Sequence, residues 1–244
     1  VNADSDVRAR SGEGARTAGA LYLAVVLTGV FSLMYVPSQL SLGDAPVAMA
    51  ESIRAHADLY RAGLAAWLVN QIAMVLLALA LYRLLAGVDR AAAACMVALA
   101  VAGVPVGFVA AAHRLDALAL ATAATPFSAV EPALRAVLVA QSIQSWRSAI
   151  TVVQAFWGLW LLPLGALLWR ARLVPAPLCA ALVLGGVGYV VTTFGATLSP
   201  AFGDGWIARV ALLPAAAGEI GTCLWLLLRG AGPPAAAAAR AVER

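Results

Sequence analysis

The amino-acid sequence predicts an all-α, polytopic integral membrane bundle of six transmembrane helices, with both termini inside and extra helices on the outer side. Three observations carry this. First, 63% of the 244 residues are hydrophobic and only 11% are charged, against roughly 25% charged in a soluble domain; mean hydropathy is +0.90. Second, the apolar residues gather in stretches of the ~20 residues that a hydrocarbon core of about 30 Å requires. Third, all 16 basic residues are Arg, and their uneven spread over the connecting segments sets an orientation.

The polar segment 1–16 carries Arg8, Arg10 and Arg16 and reads as a tail. The apolar run after it exceeds a signal-peptide core and lacks a small-x-small cleavage site, so Thr17–Gln39 is predicted as an uncleaved first span. Tyr60–Leu85, Arg90–His113, Arg147–Trp169, Val174–Leu198 and Trp206–Leu228 complete a bundle over 17–229. Lipid offers backbone polar groups no partner, so each span must be a helix. Short inner turns around Gly87–Asp89 and Arg170–Leu173 predict tight hairpins. On the outer side, Asp44 reads as an N-cap. Met49, Ile53, Ala57 and Tyr60 then recur at helical spacing, predicting an amphipathic helix over about 45–59 that lies on the membrane surface and leads into span two. Ser128-x-x-Glu131 reads as a capping box. The pattern it opens runs on to Trp169, about 42 residues or ~63 Å. Span four therefore projects outward, bends near Gln144–Trp146, or is preceded by a separate surface helix over about 129–146. The tail 230–244 is of low complexity.

With the N-terminus inside, ten Arg face inward (Arg8, Arg10, Arg16, Arg83, Arg90, Arg170, Arg172, Arg229, Arg240, Arg244) and six outward (Arg54, Arg61, Arg114, Arg135, Arg147, Arg209). The excess predicts cytoplasmic termini in a bacterial cytoplasmic (inner) membrane. The partners expected are the lipid bilayer and other membrane-protein subunits, with no nucleic acid.

Composition also excludes chemistry. Without Lys there is no Schiff base to retinal or pyridoxal phosphate and no Walker-type phosphate loop. Cys95, Cys179 and Cys223 lie in apolar stretches without CxxC or Cys/His spacing and read as small packing residues. No cofactor is predicted, although the Trp-rich spans leave contact with haem, quinone or pigment open. No Ser/His/Asp, Cys/His or HExxH arrangement is visible, which makes an enzyme the weakest reading.

Glu219 is the most informative residue. An ionised carboxylate in mid-span costs roughly 2.5–3.5 kcal/mol on insertion scales, so it must be protonated, paired or set against a wet cavity. It reads as a proton, cation or ligand site, or as a neutral acid tying helices together. Asn70, Gln71 and Gln154 fall at similar depth, either in one central polar cluster with Glu219 or as separate helix–helix ties. Gln141, Gln144, Ser148 and Thr151 form a polar stripe on one face of span four, pointing at the bundle or at an outer cavity. Arg114 and Arg147 are predicted at the outer rim, where they snorkel, bind anionic headgroups or pair with Asp116. His56 and His113 are outer-side residues whose joint ligation of a metal or haem is a weak prospect. Pro105, Pro163 and Pro214 fall within spans and can kink them.

Ala15-Arg16-Thr17-Ala18-Gly19, Tyr22, Thr28-Gly29, Val36-Pro37 and Ala78–Leu85 resemble segments of a bacterial membrane family. So do Gln154-Ala155-Phe156-Trp157-Gly158-Leu159-Trp160 through Gly165, Gly185-Gly186-x-Gly188-Tyr189, and Gly218-Glu219 with Leu224-Trp225-Leu226. The family is domain of unknown function 4386. The resemblance implies a single bundle over nearly the whole chain and transfers no activity. The function expected is that of a non-catalytic accessory subunit or hydrophobic-ligand binder. The alternative is a small transporter or proton-coupled carrier using Glu219.

Overall fold

The structure is a computed structural model describing residues 3–43, 45–199, 202 and 205–230, with backbone alone at 3–11 and 207–209. Among the described residues it is helical, without strands. Helix α1 (Ala3–Val30) continues through a π-helical turn (Phe31–Tyr35) into a last turn (Val36–Ser38). Helices α2 (Pro46–Ala55), α3 (Ala57–Leu85), α4 (Arg90–Ala121), α5 (Pro132–Ala171), α6 (Ala176–Leu198), α7 (Trp206–Ala211) and α8 (Leu213–Arg229) follow. Five stretches are long and apolar enough to cross a membrane: Gly12–Ser38, Ala57–Leu85, Arg90–Ala121, Pro132–Ala171 and Ala176–Leu198. They expose large apolar side chains, among them Leu27, Leu76, Phe108, Val187 and Phe194. Water penalises such a surface and lipid does not, so the helices fit a membrane protein in contact with the bilayer.

The sixth predicted span is not one helix. Trp206–Leu228 breaks at Leu212 into α7 and α8. Pro214 is the physical reason. Its nitrogen carries no hydrogen, and its ring would collide with the carbonyl four residues back in a continuous helix. It sits instead in the first turn of α8, where an N–H has no helical partner anyway. Pro105 and Pro163, by contrast, lie inside α4 and α5.

Two other boundaries moved. Helix α4 runs to Ala121, not His113, because Ala117, Leu118 and Leu120 continue its apolar packing. Helix α5 is one unbroken helix of 40 residues, roughly 60 Å long, so the stretch up to Trp146 is its extension and not a separate surface helix. Glu131, rather than Ser128, caps it. The Leu134 N–H donates to Glu131 Oε2 at 2.9 Å. That bond, with one from the Ala133 N–H, holds the Glu131 carboxyl below its ordinary range. Ser128 belongs to a preceding 3-10 turn, Phe127–Ala129.

Helix α2 forms where the amphipathic stripe predicted it, with Ala45 as N-cap; the predicted cap, Asp44, lies outside the described residues. Its apolar face packs against the protein. Met49 and Ile53 are buried in one cluster with Val36, Tyr60, Val139, Ile143 and Trp146.

Both predicted tight turns are present. Asp89 caps α4, accepting from the Ala92 N–H at 3.0 Å. Its other oxygen accepts from Arg170 Nη1 at 2.9 Å, which clips the α3–α4 turn to the end of α5. Helix α5 ends on Arg172 at φ 52°. The N–H groups of Arg172 and Leu173 return to the carbonyls of Trp169 and Leu168, satisfying the orphan carbonyls of the last turn.

The predicted bundle packs as two compact units. The first comprises Val1–Ala24, Ala73–Gly103 and Gln154–Arg244; the second comprises Val25–Ile72 and Val104–Val153.

Candidate functional site

In the first unit, glycines bring helices to backbone contact. A side chain at Gly218 would meet the Leu182 backbone nitrogen, and one at Gly185 would meet the Ala215 backbone. Helices α6 and α8 therefore approach without intervening side chains, the packing that small residues permit in lipid. Gly158 of α5 lies against the Gly186 carbonyl in the same way, and Gly19 of α1 lies against the Leu227 backbone.

This close frame holds Glu219, which is half-buried on α8. The hydroxyl of Tyr22, a fully buried residue of α1, donates to Glu219 Oε2 at 3.3 Å. The Tyr189 hydroxyl of α6 lies near the same carboxyl group. Aromatic rings surround the pair. Trp160 tilts against Tyr22 with ring centroids 6.0 Å apart, and Trp157 stands edge-on to Tyr189, also at 6.0 Å. Three residues along α8, Thr222 is fully buried and its hydroxyl makes no hydrogen bond among the described residues. Next to it, the Cys223 thiol donates to the Gly19 carbonyl at 3.6 Å. The acid is thus held by a hydroxyl donor in an apolar and aromatic surround. Among the described residues neither of the two ion pairs involves it.

The separate sequence segments that meet here are Tyr22, the Gln154–Gly165 stretch, Gly185–Tyr189 and Gly218-Glu219. The family described as domain of unknown function (DUF4386) matches residues 17–230. The chain belongs to this family. Four of the stretches by which it resembles DUF4386 therefore converge on one carboxyl group. Neither the comparison with curated proteins nor that with solved structures gives a match.

The other predicted residues have different places. Gln154 is half-buried on α5 and is not among the hydrogen-bond partners of Glu219. Asn70 and Gln71 belong to the second unit. There Asn70 Nδ2 donates to the Val25 carbonyl at 2.7 Å and to Thr28 Oγ1 at 3.1 Å. Gln71 donates to Asn70 Oδ1 at 3.1 Å and lies against Gly107, whose missing side chain makes room for it. Trp67 donates to the Gly107 carbonyl at 2.8 Å. These bonds tie α3 to α1 and α4.

Arg147 is exposed and donates to the Leu42 carbonyl at 2.7 Å. His56 is also exposed, with Nδ1 3.0 Å from the Ser52 carbonyl. The polar stripe of α5 faces an open groove of about 390 Å³, lined by His113, Gln141, Gln144, Ser145 and Ser148 with apolar neighbours.

Arg114 departs most from expectation. It does not reach outward as a snorkelling side chain but is only 1% exposed. Its guanidinium lies 4.7 Å from the Tyr60 ring centroid and 5.4 Å from that of Trp146. The Arg114–Asp116 charges read as a span end in the sequence, but α4 continues past them. Sequence reasoning also missed Tyr22 and Tyr189 as the neighbours of Glu219. The available signal was their membership in the same family-like motifs as the acid.

Proposed function

We propose that this chain is a non-catalytic integral membrane protein that binds a hydrophobic ligand or a partner subunit through the helices around Glu219. The observation supporting this is an acid held by the Tyr22 hydroxyl inside an apolar helix cluster, with the buried Thr222 hydroxyl nearby making no hydrogen bond among the described residues. A few polar groups among aromatic walls suit the polar end of an otherwise apolar molecule. In an accessory subunit the same groups tie helices together. The test is isolation from native membranes in mild detergent, followed by mass spectrometry of bound proteins, lipids and pigments. A stoichiometric companion, reduced in Glu219→Ala, is expected. A lone, ligand-free monomer overturns the reading.

A second reading, a proton-coupled carrier, is favoured by one feature. The helix carrying Glu219 is broken at Leu212, shortly before the acid, and carriers commonly build their sites on discontinuous helices. In proteoliposomes its transport would be lost in Glu219→Gln; full activity in that variant sinks it.

The proposal includes topology. Helices α7 and α8 together form the sixth crossing, and both termini face the cytoplasm of a bacterial inner membrane. The excess of Arg in the inner segments supports this. A periplasmic reporter fused after Gly43 should be active and one fused after Arg229 silent; the reverse pattern overturns it.

A further inference from the structure

We infer that Arg114 is the centre of an oxyanion-binding site, taking the phosphate or carboxylate group of a bound molecule. The site lies in the second unit and does not depend on the reading of Glu219.

The cation is built in by the chain itself. Phe31–Tyr35 is a π-helical turn, in which the Val36 N–H reaches back to the Phe31 carbonyl. That N–H would serve the Ser32 carbonyl in an α-helix. The next residue, Pro37, has no N–H to offer. Ser32 O is thus left without helical donors, and Arg114 Nη1 approaches it at 3.5 Å while donating to Ser32 Oγ at 2.8 Å. Such π turns recur at functional positions. Here the turn presents both oxygens of a fully buried serine to a buried guanidinium.

Those contacts leave the cation incompletely satisfied. A guanidinium carries five N–H donors and stays charged; among the described residues Ser32 accepts from it, and the Tyr60 hydroxyl lies near it without completing a hydrogen bond. The Tyr60 and Trp146 rings stabilise the charge through their faces but do not take its in-plane hydrogens. Every described acid of this unit, Glu51, Asp58, Asp116 and Glu131, is exposed. Neither ion pair among the described residues includes Arg114. The two rings that flank the guanidinium also carry the polar atoms Tyr60 Oη and Trp146 Nε1, both buried and without a hydrogen bond among the described residues. Buried donors are rarely left unmade. A fixed positive charge with spare N–H groups, a free O–H and a free indole N–H together call for an acceptor bearing negative charge. Such a group could belong to a lipid headgroup, a fatty acid or a free anion.

The test uses the full chain, delipidated in non-ionic detergent. It is titrated separately with inorganic phosphate, phosphatidylglycerol, decanoate and, as an uncharged control, diacylglycerol. Melting temperature and tryptophan fluorescence are read together, because Trp146 lies in the site. At least one anionic probe should raise the melting temperature and change the fluorescence, while diacylglycerol does neither. Phosphate acting alone identifies a free anion; action only by the phospholipid or by decanoate identifies a headgroup or an acyl carboxylate. Arg114→Gln should weaken the effective probe by about tenfold or more, and the exposed Arg54→Gln should leave it unchanged. If Arg114→Gln fails to fold, Tyr60→Phe decides. Its hydroxyl makes no hydrogen bond among the described residues and the ring that Arg114 lies over is kept, so a purely structural role predicts unchanged binding, whereas the site predicts a several-fold loss. No response of the wild-type chain to any probe, or binding equal to wild type in Tyr60→Phe and Arg114→Gln, overturns the inference and leaves a bridging water as the occupant.

Discussion

Glu219 on α8 and Arg114 on α4 both sit among apolar and aromatic side chains, and the chain holds them by different means. In one unit, the Glu219 carboxyl group accepts a hydrogen bond from the Tyr22 hydroxyl, with the Tyr189 hydroxyl nearby. In the other, the Arg114 guanidinium lies against aromatic faces, with a single serine as acceptor. Direct ion pairs occur elsewhere. Among the described residues Arg61–Asp58 and Arg170–Asp89 are the pairs formed, and both reach solvent. Desolvating two charges to pair them is expensive, and neutral partners avoid one of those two penalties. The difference between the two regions lies in completeness. The acid has its donor within the protein, while the cation still has unused N–H groups beside two side chains whose polar atoms make no hydrogen bond among the described residues.

The largest effect should come from breaking the frame around the acid. Gly185→Val would drive a side chain into the Ala215 backbone. A backbone cannot give way as a flexible side chain can, so a loss of about 3 kcal/mol, or failure to accumulate, is expected. Gly14→Val, at a position with open space, is the control and should melt with the wild type. Ser32→Ala comes next and acts on the cation. It removes the 2.8 Å partner of a buried charge, for an expected loss of roughly 2 kcal/mol. Thermal melting in detergent measures both. A neutral Ser32→Ala would mean that the aromatic faces alone suffice, and the contrast between the regions would disappear.

The sequence made the first of these regions easier to see than the second. An acid in an apolar run is conspicuous, and Glu219 stood out without any structure. Its tyrosines did not, because residues near positions 22, 189 and 219 share no periodicity and meet only through the tertiary packing of α1, α6 and α8. The burial of Arg114 was not legible. Two charges, Arg114 and Asp116, looked like the end of a span, yet helix formers follow them and α4 continues to Ala121. The rings of Tyr60 and Trp146 that cover Arg114 come from other helices, and no local pattern brings them to it. The break at Leu212 had a legible cause in Pro214, whereas Pro105 and Pro163 sit inside helices that continue. A proline marks where a helix is weakened; tertiary support decides whether it ends there.

Tyr22→Phe is the next smaller test and sharpens the acid's side. It deletes the 3.3 Å donor to Glu219 while keeping the ring against Trp160. The expected loss is about 1 kcal/mol, that of a single long hydrogen bond, with the Tyr189 hydroxyl still near the acid. Glu219→Gln retains an acceptor for Tyr22 and should therefore melt closer to the wild type than Glu219→Ala. If the two variants melt alike, the hydroxyl bond contributes nothing, and the acid is not held as the geometry implies.

The smallest effect belongs to the exposed pair, and it is visible only through pH. The Asp89 carboxyl lies below its ordinary value of 3.8, first because the Ala92 N–H donates to it and second because Arg170 does. A depressed carboxyl pKa gives a contribution that is complete above the ordinary value and disappears as pH falls through the lowered one. The melting temperature should therefore hold down to about pH 4 and decline below it, with Asp89→Ala flattening part of that decline. Glu131, depressed by its own helix cap, titrates in a neighbouring range and should remain in the variant's profile. Arg170 lowers the Asp89 carboxyl both as a donor and as a charge, while the Ala92 N–H acts without it, so Arg170→Gln should remove part of the Asp89 contribution and Asp89→Ala more. Should Arg170→Gln flatten the profile as much as Asp89→Ala, the clip between the turns, and not the cap of α4, would be the source of the stabilisation.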